Sequence, residues 1–247
     1  MKTVLYTCAD LAYDQIFTPV AATPGVPFVL FSDRRPRLVR GWEHRPFPEA
    51  TRGLSPSLVN RYCKFFPQRI FPEADVSIYV DANLLVTADL SPLIAEFRAS
   101  GADIGLFPHK ERGDIFEELA FGARVGKIPP GDVAAGEAQV ARYLAEGLPR
   151  AHRLTENAII FRRHAAPGLG PAMELWWEEL ARATRSTRSG DSRAFPLPAA
   201  AASARSSRSA PATASQAAAR AFSPAAWGRS RTSISSRTPR AVPVIRS

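Results

Sequence analysis

The composition of this 247-residue chain breaks at residue 181, and that break decides which part of it can fold. Residues 181–247 hold 12 Arg, no Lys, one acid (Asp191) and one leucine (Leu197), with Ala, Ser and Pro making up most of the rest. Their few apolar residues recur neither every 3.6 positions nor every second one. Such a segment has no face to bury, and we expect residues 181–247 to be a disordered low-complexity tail. The formal net charge of +9 belongs to this tail, because residues 1–180 carry 20 Lys/Arg against 22 Asp/Glu. The folded part is therefore close to neutral, and with only Phe195, Phe222 and Trp227 among the tail's arginines no nucleic-acid partner is expected. Ala, Arg, Ser and Pro without Lys is also the output of a GC-rich gene read in a shifted frame.

Residues 1–180 alternate short apolar runs with amphipathic stretches. Val4–Thr7, Phe28–Phe31, Val76–Val80, Asp103–Phe107 and Ala158–Phe161 read as strands. Helices are expected after Ser55-Pro56 as far as Pro67, after Ser91-Pro92, from Asp132 to Gly147, and over Pro171–Leu180 with Trp176 and Trp177. The alternation argues for an α/β domain at 1–180, a mostly parallel mixed sheet flanked by helices. No window reaches the roughly 18 apolar residues of a membrane span, and the N-terminus lacks the form of a signal peptide. Cys8 and Cys63 form no CxxC or Cys/His cluster, which argues against a disulfide scaffold or zinc site and for buried thiols. A soluble, cytoplasmic protein is expected, its oligomeric state left open.

In parallel sheets ligands gather at the carboxyl ends of strands, so polar residues that directly follow apolar runs carry the most weight. The densest such segment is Asn60–Leu93. A helix bearing Arg61 and Lys64, three apart and on one face, precedes the strand Val76–Val80, which ends in Asp81-Ala82-Asn83. Two cations on one face suit a diphosphate. Oxygen ligands two apart suit a hard divalent cation.

The order of helix with Arg/Lys, apolar strand and Asp-x-Asp-like turn resembles nucleotide-sugar-dependent glycosyltransferases of the GT-A fold. More closely, it resembles a glycosyltransferase-like family, formerly classed as a domain of unknown function, whose plant members are tied to seed mucilage and pollen. This chain would be a bacterial-type member with an aberrant tail. The resemblance runs through Tyr6-Thr7-Cys8 with Tyr13-Asp14, Phe31-Ser32-Asp33 with Trp42, Arg61-Tyr62-x-Lys64 and Tyr79-Val80-Asp81-Ala82-Asn83. It continues through His109-x-x-Arg112, Glu117-Glu118, Gly147-Leu148-Pro149, and Leu154–Asn157 before Arg162 and His164. It implies that Thr7, Tyr13 and Asp33 hold the nucleoside. Asp81 and Asn83 would hold a Mn2+ or Mg2+ ion and the ribose-diphosphate, while Arg61 and Lys64 offset the diphosphate charge. His109, Arg112 and Glu156 would line the sugar or acceptor side, with Glu156 or Asp114 as base. The implied activity moves a hexosyl group from a nucleotide-diphosphate sugar to a glycan or other hydroxyl acceptor, the alternative being a catalytically silent nucleotide- or glycan-binding domain. Two departures stand out. Position 83 is Asn where the Asp-x-Asp turn ends in a second carboxylate, which weakens a metal site. The Arg-Asp-Gln block that follows the tryptophan helix in the family is missing, although a shift of one nucleotide across Thr187–Ser192 permits Arg-Asp-Gln-Ala-Ile.

Overall fold

The computed structural model describes residues 1–149 and 154–186. The tail after residue 186, with its expected disorder, lies outside the described residues. In chain order the strands are β1 (Thr3–Ala9), β2 (Phe28–Ser32), β3 (Glu43–Arg45), β4 (Val76–Val80), β5 (Ile104–Pro108) and β6 (Thr155–Arg163). The helices are α1 (Pro56–Phe65), α2 (Pro67–Ile70), α3 (Ser91–Ser100), α4 (Ile115–Arg124), α5 (Val133–Ala145) and α6 (Leu169–Ser186). The strands form one mixed sheet in the order β3-β2-β1-β4-β6-β5. β1 pairs in parallel with both β2 and β4, β2 pairs in parallel with β3, and β6 is antiparallel to β4. The α/β, mostly parallel mixed sheet expected from the alternation is what forms.

The chain divides into two compact units: of the described residues, 1–105 with 158–165, and 106–157 with 166–186. In the first unit, every residue of β1, β2 and β4 is buried. That matches their near-continuous apolar sequences, since a parallel strand covered on both faces has no polar side to show. Tyr6 on β1 sits opposite Tyr79 on β4, and their rings meet edge-on at 5.3 Å. Phe71 closes on Tyr6 from the loop after α2, at 5.2 Å. α1 lies over this face, where the Tyr6 hydroxyl donates to the Cys63 carbonyl at 2.9 Å. α3 lies over the other face, with Phe97 5.4 Å from Phe161 and Arg98 donating to the Thr3 hydroxyl at 2.6 Å. Each buried aromatic here contributes about 1.5–3 kcal/mol by leaving water.

Local signals set the ends of α1. Ser55 Oγ accepts the Leu58 N–H at 3.4 Å, and Pro56 occupies the first turn. Pro67 has no N–H to continue the ladder, so the helix stops at Phe65 and restarts as the four-residue α2. α3 departs slightly from expectation: Ser91 is its first residue, and the Asp89 carboxylate accepts the Ser91 N–H at 2.9 Å. It ends at Gly101, whose φ of +67° lies in the left-handed region that glycine enters without strain.

In the second unit, α4 and the short β3 of the first unit are elements that periodicity did not reveal. Asp114 starts α4 by accepting the N–H groups of Phe116 and Glu117, both at 2.9 Å. α6 begins two residues earlier than expected and continues to Ser186, so the composition break at 181 falls inside a helix. Glu179 on α6 is buried and joins Arg142 and Tyr143 on α5.

Candidate functional site

The first unit has its topological switch at β1. The chain steps outward from β1 to β2 and β3, then returns to the other side of β1 as β4. At such a switch the loops leaving neighbouring strands part and open a crevice at the carboxyl ends. Asp10 follows β1 there, Asp33 follows β2 and Asp81 follows β4.

α1 supplies the cations. Lys64, in its last turn, is 3% exposed, and its ammonium lies 2.9 Å from Asp81 Oδ1. The same ammonium sits 4.9 Å from the centre of the Tyr79 ring. One turn earlier, Asn60 donates to the Cys8 carbonyl at 2.7 Å and so pins α1 to the end of β1. Burial pulls the Lys64 pKa down to about 8; Asp81 opposes this, and the charges of Arg61 and Arg162 reinforce it. Arg61 is half-buried and has no hydrogen-bond or ion-pair partner among the described residues. Arg162, on β6, is fully buried and donates to the Lys64 carbonyl at 2.5 Å, while its Nε and Nη1 find no hydrogen-bond partner. The two cations of α1 thus stand near the end of β4, with one carboxylate within ion-pair distance of Lys64, while Arg162 lies further back, opposite Ser77 on β4.

The acids after β1 are held by the backbone of their own loop. Asp14 accepts the Asp10 N–H at 2.9 Å, and Asp10 accepts the Ala12 N–H at 3.0 Å. Burial pushes the Asp14 carboxyl up, a shift that the Asp10 N–H opposes and the Asp10 and Asp81 charges reinforce. Asp33 accepts the Leu11 N–H at 3.1 Å and pairs with Arg34 at 2.9 Å, which ties the loop after β2 to the loop after β1.

Among the residues expected at the site, the fold brings Lys64, Asp81 and Arg61 together and sets Asp33 against the neighbouring loop. Asn83 is exposed in the turn closed by the Leu84 N–H on the Asp81 carbonyl. Tyr13 is 75% exposed. Thr7 is different: it is fully buried within β1, and its hydroxyl has no hydrogen-bond partner. Alternation along β1 sends it to the face opposite Tyr6, away from α1 and its cations.

The divalent cation implied by the Asp-x-Asp resemblance does not fit this donor set. Asp81 already neutralises a buried ammonium, and Asn83 brings a neutral amide. No group of three or more His, Cys, Asp or Glu among the described residues is arranged to hold a metal. A dication at Asp81 would face the Lys64 charge at close range.

His109, Arg112 and Glu156 belong to the second unit. His109 Nδ1 faces the N–H groups of Glu111 and Arg112 at 3.2 and 3.0 Å, and its Nε2 faces Arg112 Nη2 at 2.7 Å. A neutral imidazole accepts at one nitrogen only, so the tautomer decides which of these contacts is a hydrogen bond. Arg112 also pairs with Glu118 and stacks over Phe121 at 4.2 Å, and Glu117 accepts the Gly113 N–H at 2.6 Å. The cluster organises the turn into α4. Asp114, committed to capping that helix, is not free to act as a base; Glu156 is half-buried on β6 and has no hydrogen-bond partner among the described residues.

Sequence reasoning passed over Asn60, Asp10, Asp14 and Arg162 as site residues. Asn60 stands one helical turn before Lys64, and Asp10 follows its strand as Asp81 follows its own. Arg162 directly follows the apolar run Ala158–Phe161 of β6 and stays buried with it.

In a doubly wound α/β unit the carboxyl ends of the strands at the switch point are where ligands gather, and that is where Lys64, Arg61 and Asp81 stand. The chain belongs to the TOD1/MUCI70, glycosyltransferase-like domain family, whose match spans residues 55–195, more than half of the chain. That match includes Arg61, Lys64 and Asp81 and reaches past the break at 181. No curated protein matches the sequence. Among solved structures, the chain is similar to mouse xyloside xylosyltransferase 1 in its apo form, at 14% identity over 73% of this chain and 74% of that one, with a TM-score of 0.40. It is similar to the galactosyltransferase LgtC in complex with donor and acceptor sugar analogues, at 11% identity over 77% and 68%, with a TM-score of 0.39. It is also similar to the glycosyltransferase GlyE of Streptococcus pneumoniae TIGR4, at 13% identity over 77% and 41%, with a TM-score of 0.41. No helix among the described residues is long and apolar enough to cross a membrane.

Proposed function

We propose that this protein transfers a hexosyl group from a nucleotide-diphosphate sugar to a hydroxyl acceptor. The observation that carries this reading is the pair of α1 cations at the end of β4, where Lys64 meets Asp81 and Arg61 has no hydrogen-bond or ion-pair partner among the described residues. In the reaction the acceptor oxygen forms a bond to the anomeric carbon, and the bond from that carbon to the phosphate oxygen breaks. The electron pair leaves with the nucleoside diphosphate, whose added charge Arg61 and Lys64 meet with fixed cations already in place. The acceptor proton goes to a base, for which Glu156 is the remaining candidate with an unengaged carboxylate. Asp33 and Tyr13, on the loops after β2 and β1, are assigned to the nucleoside. His109 and Arg112 are assigned to shaping the acceptor side through the turn into α4.

The test is release of nucleoside diphosphate from a panel of UDP-, GDP- and ADP-hexoses, with and without added glycan. Turnover of one donor that Arg61→Ala lowers about tenfold supports the reading. Binding of a donor without any turnover, in the presence of several acceptors, sinks it in favour of a silent binding domain.

A further inference from the structure

Lys64 stands where the sequence pattern leads one to expect a metal. Its side chain is 4% exposed, and its ammonium meets Asp81 Oδ1 at 2.9 Å. Three contacts hold it there. The Arg162 guanidinium takes the Lys64 carbonyl at 2.5 Å, Asn60 ties the preceding turn to the Cys8 carbonyl at 2.7 Å, and the Tyr79 ring lies under the ammonium at 4.9 Å. A surface lysine samples many rotamers. This one is fixed before any ligand arrives.

The surrounding charge leaves an anion wanted. Arg61, half-buried on α1, has no hydrogen-bond or ion-pair partner among the described residues. Tyr6 and Tyr79, which face Arg162, are held in the neutral phenol form by burial and supply no negative charge. Asp10 and Asp14 lie on the same side of the sheet, but their carboxylates accept backbone N–H groups of the loop after β1. Against a divalent cation stand the ammonium already on Asp81 and the neutral, exposed Asn83.

We propose that Lys64, assisted by Arg61, does the work of the divalent cation at this turn, so that the nucleoside diphosphate of the donor is bound and released without a metal. Asp81 holds Lys64 in place and does not act as a metal ligand. The inference rests on the donor-site reading above and adds to it the identity of the charge that meets the leaving group. An ammonium and a guanidinium are singly charged and hydrogen-bond directionally, so the site favours phosphate oxygens at fixed positions over a mobile metal chelate.

The experiment is calorimetric titration of the full chain with UDP, GDP and ADP, first in EDTA and then with Mn2+ or Mg2+ in excess. For at least one nucleotide the two dissociation constants are expected to agree within a few-fold. In EDTA, Lys64→Met weakens that nucleotide about a hundredfold, Arg61→Ala about tenfold, and Lys64→Arg less than Lys64→Met. Circular dichroism and thermal melts establish that each variant folds. If Lys64→Met does not fold, Arg61→Ala and Lys64→Arg decide, and wild-type affinity in Arg61→Ala counts against the inference. Binding that requires added cation overturns it and leaves the donor-site reading intact. Wild-type affinity in Lys64→Met overturns it equally. Binding of no nucleotide under either condition overturns the donor-site reading, and this inference with it.

Discussion

Each unit of the molecule contains an ion pair with one buried member, and the two are built with opposite sense. In the first, the buried member is a cation: Lys64 is 4% exposed against 34% for Asp81. In the second, it is an anion: Glu179 is 2% exposed, while Arg142 and Arg182 are 33% and 49% exposed. Glu179 is amply satisfied. It pairs with Arg142 at 2.5 Å and Arg182 at 3.2 Å and accepts the Tyr143 hydroxyl at 2.6 Å. Lys64 has one carboxylate and two further cations for company. A charge surrounded by partners holds helices together, whereas a charge short of partners is poised for a ligand.

The comparison is broken or sharpened by substitution. The largest effect is expected for Lys64→Met, which lowers nucleoside-diphosphate affinity about a hundredfold. Its thermal stability is unchanged or higher, because an apolar isostere removes a buried charge and Asp81 can turn to water. A large loss of stability without loss of affinity would reverse the assignment. Next, Glu179→Ala is expected to destabilise the protein by about 2 kcal/mol in denaturant melts, since it strips Arg142 and the Tyr143 hydroxyl of their shared partner. Nucleotide affinity should not move with it; if it fell as far as in Lys64→Met, the contrast between the two pairs would fail. Asp114→Ala removes the cap of α4 and is expected to lose about 1 kcal/mol.

The most diagnostic effect is with pH. The Lys64 pKa is about 8 in the folded chain and 10.5 in a free side chain. Between these values the unfolded chain binds the extra proton, so this group's contribution to stability rises with pH from about 8 to 10.5 and is flat below 8. Anion affinity runs the other way and falls as the folded lysine loses its charge above about 8. Opposite slopes, seen by melts and by calorimetry over the same range and abolished in Lys64→Met, would tie both to this one side chain. Parallel slopes would remove Lys64 from the account.

Much of the frame was legible in the chain itself. Val76–Val80, apolar but for Ser77, became β4 with the expected ends; Ser55-Pro56 marked the start of α1, and Pro67 its stop. β3 was not legible, because Glu43–Arg45 has no apolar pattern and becomes a strand only by pairing with β2. α4 was hidden among charges that are in fact engaged, Glu118 with Arg112 and Glu117 with Gly113. At the site, Arg61, Lys64 and Asp81 were readable as residue types at the right spacing. Their relation was not. Spacing along a helix places two cations on one face, but it does not say that one lies buried against a strand seventeen residues away.

What the sequence determined by itself is local and periodic: an α/β alternation, the helix stops at Pro67 and Gly101, and an acid following each of three parallel strands. Those follow from backbone sterics and from the demand that apolar runs be covered. Tertiary structure alone decided that Thr7 faces inward with no partner, that Asp114 is a cap, and that Lys64 occupies the carboxylate a metal would need. These are outcomes of how elements distant in the chain pack, because electrostatic interaction depends on separation and burial in space, and neither is written in the order of residues.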